Sequence, residues 1–222
     1  VSAPFVLAVA GPPGSGKSTL SYALSETFGG APVLAYDAYE AVTTWPPEQV
    51  AAWLARGAPF DALPVPGLAE DLARLRRGEP VPDRERGGTL RPARRGAGRP
   101  VIILDTLLGR AHPGTGRQID HLVWLDLPLD IALARKLRSF AEGARREPSA
   151  ASRLLGALDA YLGRYDRLLH PTYALQRDRI RPAADQILGA GTPAEHVAAI
   201  RSAIQPILMA APTPTAYGGA EP

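Results

Sequence analysis

Apolar residues gather along the chain in short runs, and longer stretches of helical spacing separate them. Phe5 to Ala10 is unbroken, Pro32 to Tyr36 and Val101 to Leu104 are the next two runs, His121 to Asp126 is the fourth strand candidate, and Asp185 to Leu188, with only Ile187 and Leu188 apolar, is a short fifth. Continuous apolar runs of this length, bounded by turn residues or acids, read as buried strands. Between them the apolar residues recur every three or four positions. Leu20, Ala23, Leu24 and Phe28 do so before Gly29-Gly30, and Leu68, Leu72 and Leu75 do so before Gly78. Pro47 to Leu54 opens with proline at a first-turn position, and a further helix starts after Pro128 and runs to Arg138 or beyond. Residues 149–170 predict another, with Leu154, Leu155, Leu158, Leu162 and Tyr165 on its buried side, and Pro193 to Leu208 predicts a closing amphipathic helix.

Strands alternating with helices predict an α/β fold with a mainly parallel five-stranded sheet and helices on both faces. Residues 1–210 are expected to form one domain. Between the second and third strands lies a long insertion, about residues 40–99, rich in Pro, Gly and Arg, whose last twenty or so residues suit a surface loop or hairpin. Residues 211–222 show no periodicity and are expected to be a disordered tail.

The chemistry begins at the turn after the first strand. Gly11-Pro12-Pro13-Gly14-Ser15-Gly16-Lys17-Ser18-Thr19 satisfies G-x-x-x-x-G-K-[S/T], with a strand before it and a helix after it. Gly11, Gly14 and Gly16 let successive backbone N–H groups, those of Ser15 and Thr19 included, turn toward phosphate oxygens. The following helix adds the positive end of its dipole. Lys17 can then reach the β- and γ-phosphates, and the Ser18 hydroxyl can ligate Mg²⁺. The expectation is a three-layer P-loop NTPase fold that binds ATP with Mg²⁺.

Three further features surround that loop. Asp37 ends the second strand, on the sheet edge where ligands bind, so its carboxylate could accept or orient the proton of an attacking hydroxyl, or could simply cap a loop. Asp105 ends the third strand after four apolar residues, as a metal-holding acid would. Arg135 and Arg138 are spaced to share one face of the helix after Pro128, within a cation-dense stretch that also holds Lys136, Arg145 and Arg146. Residues 135–150 thus suit a mobile helical lid whose arginines meet phosphoryl charge, although a solvated face has the same composition.

Composition narrows the rest. The chain has 222 residues, a formal charge of +3 and 45% hydrophobic residues, ordinary for a soluble protein. Its only lysines are Lys17 and Lys136, and the arginines are scattered among acids, which argues against a nucleic-acid partner. No apolar run reaches membrane-spanning length, so the expected location is the cytoplasm and no membrane partner is expected; a homodimer is left open. With no cysteine and four scattered histidines, no thiolate or zinc site is expected.

The phosphate loop, followed by a second strand ending in Asp37-Ala38-Tyr39, resembles the uridine kinase, phosphoribulokinase and bacterial pantothenate kinase group. Ala58-Pro59-Phe60-Asp61, Leu68 to Gly78 with Val81-Pro82-Asp83, and Arg181 to Leu188 are similar to further short motifs of that group. The resemblance spans roughly residues 4–205. It implies a kinase that transfers the γ-phosphate of ATP to a hydroxyl of a small molecule. Asp37, Tyr39, Asp61 and Asp83 would be on the acceptor, while Lys17, Arg135 and Arg138 would serve the transferred phosphoryl. The chain departs from the group at Asp105-Thr106, where the family has Glu-Gly, and at Phe140, near the position of a lid aspartate. The segment after Asp83 lacks the aromatic and the histidine with which uridine kinases hold the pyrimidine. A nucleoside, a sugar or sugar phosphate, and a pantothenate-like alcohol therefore all stay open as acceptor. The competing class is a nucleotide-hydrolysing switch with no acceptor. Guanine-reading switches use an Asn-Lys-x-Asp segment, and this chain contains no asparagine.

Overall fold

The computed structural model describes residues 3–92 and 98–210. Residues 211–222, the expected tail, lie outside the described part, as do residues 93–97 of the expected loop. Strand β1 (Phe5–Ala10) feeds the glycine-rich turn and helix α1 (Lys17–Thr27), and β2 is Val33–Ala35. The insertion then supplies α2 (Pro47–Ala55), α3 (Leu68–Arg76) and a small antiparallel hairpin of β3 (Val81–Pro82) and β4 (Thr89–Leu90). The chain continues through β5 (Val101–Thr106), α4 (Pro113–Gly116), β6 (His121–Leu125), α5 (Leu129–Arg146), α6 (Ala151–Leu162), α7 (His170–Ile180), β7 (Gln186–Leu188) and α8 (Pro193–Met209).

The main sheet has the order β2-β5-β1-β6-β7, and every neighbouring pair in it is parallel. Alternation along the strands divides the core between its two faces. Phe5, Leu7, Val9, Ile103, Val123 and Leu125 pack with Leu20 and Leu24 of α1 and with Ile200, Ile204 and Leu208 of α8. Val6, Ala8, Ile102, Leu104, Leu122 and Trp124 face the opposite way. There they meet Trp53, Phe60, Leu68, Leu72 and Leu75 of the insertion and Ile180 of α7. The insertion thus supplies much of the layer on that face, together with α7.

One of the expected helices differs from expectation. The helix expected over residues 149–170 is broken. It stops at Leu162 and resumes, after Gly163 and Arg164, as a π turn over Tyr165–Leu169 that leads into α7. None of its expected apolar stripe is fully buried, and Leu155 and Leu162 are 61% and 43% exposed. The reason is that α6 folds back on α5 instead of the sheet, which leaves its other sides in solvent.

Candidate active site

All five parallel strands deliver their C-terminal ends to one edge of the sheet, and the loops there enclose a cleft of about 460 Å³. Its floor is the turn from Pro13 to Thr19 at the central strand. On the side of β5 and β2, Leu107 and Asp37 line it; on the side of β6 and β7, Leu125, Gly191, Pro193 and His196 do. Arg135, Lys136 and Ser139 of α5 form a further wall.

The loop is shaped by glycine at two points. Gly14 and Gly16 sit at φ 87° and 95°, where a Cβ is unfavourable, and a Cβ on Gly14 would lie 2.1 Å from the Ala132 carbonyl oxygen of α5. The Ser15 amide donates to Pro12 O at 3.1 Å, and Leu20 N closes the first turn of α1 on Gly16 O. The Ser15 hydroxyl is buried in the loop with no hydrogen-bond partner among the described residues. A buried hydroxyl without a protein partner keeps its donor available to a ligand oxygen.

Charge inside the cleft is arranged around Lys17. Its ammonium donates to Pro12 O at 3.3 Å. Burial pushes the Lys17 pKa below the ordinary lysine value, against the opposing pull of Asp105 and then Asp37, and Lys136 adds a smaller downward push. Asp105 shifts the other way: burial raises its carboxyl, while Lys17 and a hydrogen bond from the Ser18 hydroxyl hold it down. Asp105 pairs with Val9 of β1 and Ala35 of β2 across the sheet, so its backbone lies between the phosphate-loop strand and the strand that carries Asp37.

Ser18 and Asp105 are therefore in direct contact, at the start of α1 and near the end of β5. This oxygen-only pair fits Mg²⁺, which uses one or two protein oxygens together with substrate phosphates. No group of three or more His, Cys, Asp or Glu side chains suited to a metal occurs among the described residues.

The other residues singled out in the sequence are placed as follows. Tyr39 is buried, and its hydroxyl donates to Asp71 at 3.0 Å beneath the Arg84 guanidinium, which lies 4.6 Å from the ring. Asp83 closes the β3–β4 turn, accepting from the amides of Glu85 and Arg86 at 3.0 and 2.9 Å. Asp61 is exposed on a turn over Phe60–Ala62, close enough to His112 to act on its titration. Arg138 is exposed and lies outside the cleft lining, whereas Arg135 is part of it. The structure thus brings the phosphate loop, Asp37 and Arg135 to the cleft surface, with Asp105 buried behind it against Ser18, and leaves Tyr39, Asp61, Asp83 and Arg138 off that surface.

Sequence reasoning missed the network of Asp71, Tyr39 and Arg84, and it missed the wall formed by Gly191, Pro193 and His196. Asp71 was hidden because it stands on the polar side of an ordinary amphipathic pattern. The wall had a signal: Thr192-Pro193-Ala194-Glu195 has the form of a capping box directly after the last strand. The structure forms that box, with Glu195 accepting from the Thr192 amide at 2.8 Å and its own amide donating to the Thr192 hydroxyl.

Among solved structures, one described as a possible uridine kinase from Bacillus stearothermophilus superposes with a TM-score of 0.50 and 15% identity, covering 85% of this chain and 90% of that one. The chain has a P-loop kinase fold. A gluconokinase from Sinorhizobium meliloti 1021 (TM-score 0.44, 14% identity, 94% and 95% coverage) and a shikimate kinase from Aquifex aeolicus (0.44, 16%, 91% and 98%) are also similar. No family model and no curated protein matches the sequence. In this P-loop kinase fold the sheet order sets the glycine-rich turn in the middle, with one half of the cleft on either side.

Proposed function

We propose that the protein is an ATP-dependent, Mg²⁺-assisted phosphotransferase of the cytoplasm whose acceptor is a hydroxyl of a small metabolite. A nucleoside, a sugar or a pantothenate-like alcohol would suit. The observation that carries the reading is that Asp37 shares one cleft with the phosphate loop. The likeness of fold to a possible uridine kinase supports it.

In this reading the triphosphate lies along Pro13 to Thr19, and the acceptor sits over β5 and β2 against Asp37. The acceptor oxygen attacks the γ-phosphorus while its proton passes to the Asp37 carboxylate. The bond from γ-phosphorus to the bridging oxygen breaks, and its electron pair leaves with ADP. Lys17 and the loop amides meet the charge that develops on the leaving oxygens. Arg135 meets the charge on the transferred group, joined by Arg138 when the α5–α6 hairpin closes. When bound, Mg²⁺ supplies further neutralisation of the β- and γ-oxygens, and Ser18 and Asp105 are the residues that would hold it.

Asp37→Asn tests the assignment, because it keeps the shape and removes proton acceptance. General-base assistance is worth about 10²–10⁴-fold. Turnover should fall within that range while calorimetric ATP affinity holds within about threefold, a change of less than 1 kcal/mol. Equal losses in both would mean that Asp37 serves the nucleotide or the fold. The acceptor for the rate measurement comes from screening alcohols in the presence of Mg²⁺ and ATP.

A further inference from the structure

We propose that His196 selects the base of the nucleotide, accepting a hydrogen bond at Nδ1 from a 6-amino purine and so favouring adenine over guanine. The inference rests on the reading above, that a nucleoside triphosphate occupies the phosphate loop. If Asp37 marks the acceptor side over β5 and β2, the nucleoside extends to the opposite half of the cleft, over β6 and β7. That half is lined by Leu125, Gly191, Pro193 and His196.

His196 stands in the first turn of α8, and its orientation is fixed from two directions. Its Nε2 is 3.1 Å from the Gly189 carbonyl oxygen, which can only accept, so Nε2 carries the proton. The ring also lies close over Gly191, where a Cβ would come within 2.6 Å of Nε2. In the neutral imidazole this leaves Nδ1 as an acceptor. No hydrogen-bond partner for Nδ1 occurs among the described residues. Glu195, the nearest carboxylate in sequence, is already engaged by the Thr192 amide and hydroxyl. A wall whose free group is an acceptor pairs with the donor at position 6 of adenine and opposes the carbonyl oxygen that guanine presents there.

The test is calorimetric binding of ATP, GTP and the purine riboside triphosphate that lacks the 6-amino group, with Mg²⁺ at pH 8. In the wild-type protein ATP should bind about three- to tenfold more tightly than the 6-unsubstituted analogue, the worth of one net hydrogen bond, and more tightly than GTP. In His196→Phe, which keeps a ring without an acceptor, ATP and the analogue should converge within about twofold, a difference of under half a kcal/mol. The analogue itself should bind as it does to wild type. Equal wild-type affinities overturn the inference, as does a preference that survives in His196→Phe. Should that variant fail to fold, His196→Leu replaces it in the same comparison, and equal wild-type affinities overturn the inference without either variant. Lys17-dependent binding that ignores the 6-amino group sinks this inference alone. Absence of any Lys17-dependent nucleotide binding sinks the kinase reading with it.

Discussion

Lys17 is held where burial makes its charge costly. Burial lowers its pKa more than Asp105 and Asp37 raise it. Between that lowered value and the ordinary 10.5, the folded chain binds fewer protons at this position than the unfolded one, so the Lys17 contribution to stability rises as pH climbs through the window. Lys17→Met should erase that contribution. It appears as the difference in pH dependence of denaturation between wild type and variant, in which the buried tyrosines cancel. Nucleotide phosphates favour the charged ammonium, so ATP binding at a pH inside that window should take up protons in the wild type and not in Lys17→Met. Calorimetry in two buffers of different ionisation enthalpy reads the uptake directly. At this scale the phosphate-loop residues were legible because spacing alone specifies them. Asp71 was not, since its burial to 4% exposure comes from the approach of Tyr39 and Arg84, distant in sequence. His196 looked like one of four isolated histidines, and only the sheet order carries it to the cleft.

Among the elements, β1, β2, β5 and β6 were readable because each is a short, mostly apolar run, and β1, β5 and β6 are buried throughout. Helix α7 escaped notice for the opposite reason. Pro171 stands in its first turn, and its apolar residues Tyr173, Leu175 and Ile180 form no continuous stripe. It is held by specific contacts, with Ile180 fully buried and the Gln176 amide donating to Leu107 O beside the cleft. Helix α6 shows that periodicity reveals an apolar face without revealing how much of it is covered. Leu155 and Leu24 are both leucines in apolar stripes, but one is 61% exposed and the other fully buried. Leu155→Glu should therefore change stability by about 0.5 kcal/mol or less. Leu24→Ala should cost about 2–5 kcal/mol. Parallel urea denaturations of the two variants check the contrast.

For the whole molecule, ligand binding and stability are linked through the same cleft. If ATP binds with Mg²⁺ held at Ser18 and Asp105, a hundredfold excess over Kd should stabilise the native chain by about 2.7 kcal/mol, or about 5–10 °C in Tm. Excess chelator should remove most of that shift, and Asp105→Asn should blunt it without chelator. A thermal melt of these combinations gives the answer without knowledge of the acceptor. The close approach of Gly14 to the Ala132 carbonyl bears on how the molecule can move. Helix α5 has 18 residues, about 27 Å of rod, and its first turn rests directly on the phosphate loop. If a triphosphate lies along that loop, the helix is a lever pivoting beside it. Backbone meets backbone where the helix crosses the loop, so a swing about that point disturbs the contact less than a slide would. A rotation of about 10° carries the far end roughly 5 Å while the base scarcely shifts, which a rod of about 1.5 Å rise per residue makes inevitable. Loss or gain of a phosphate at the pivot would thus be felt with greatest amplitude at the far tip, where α5 turns into α6.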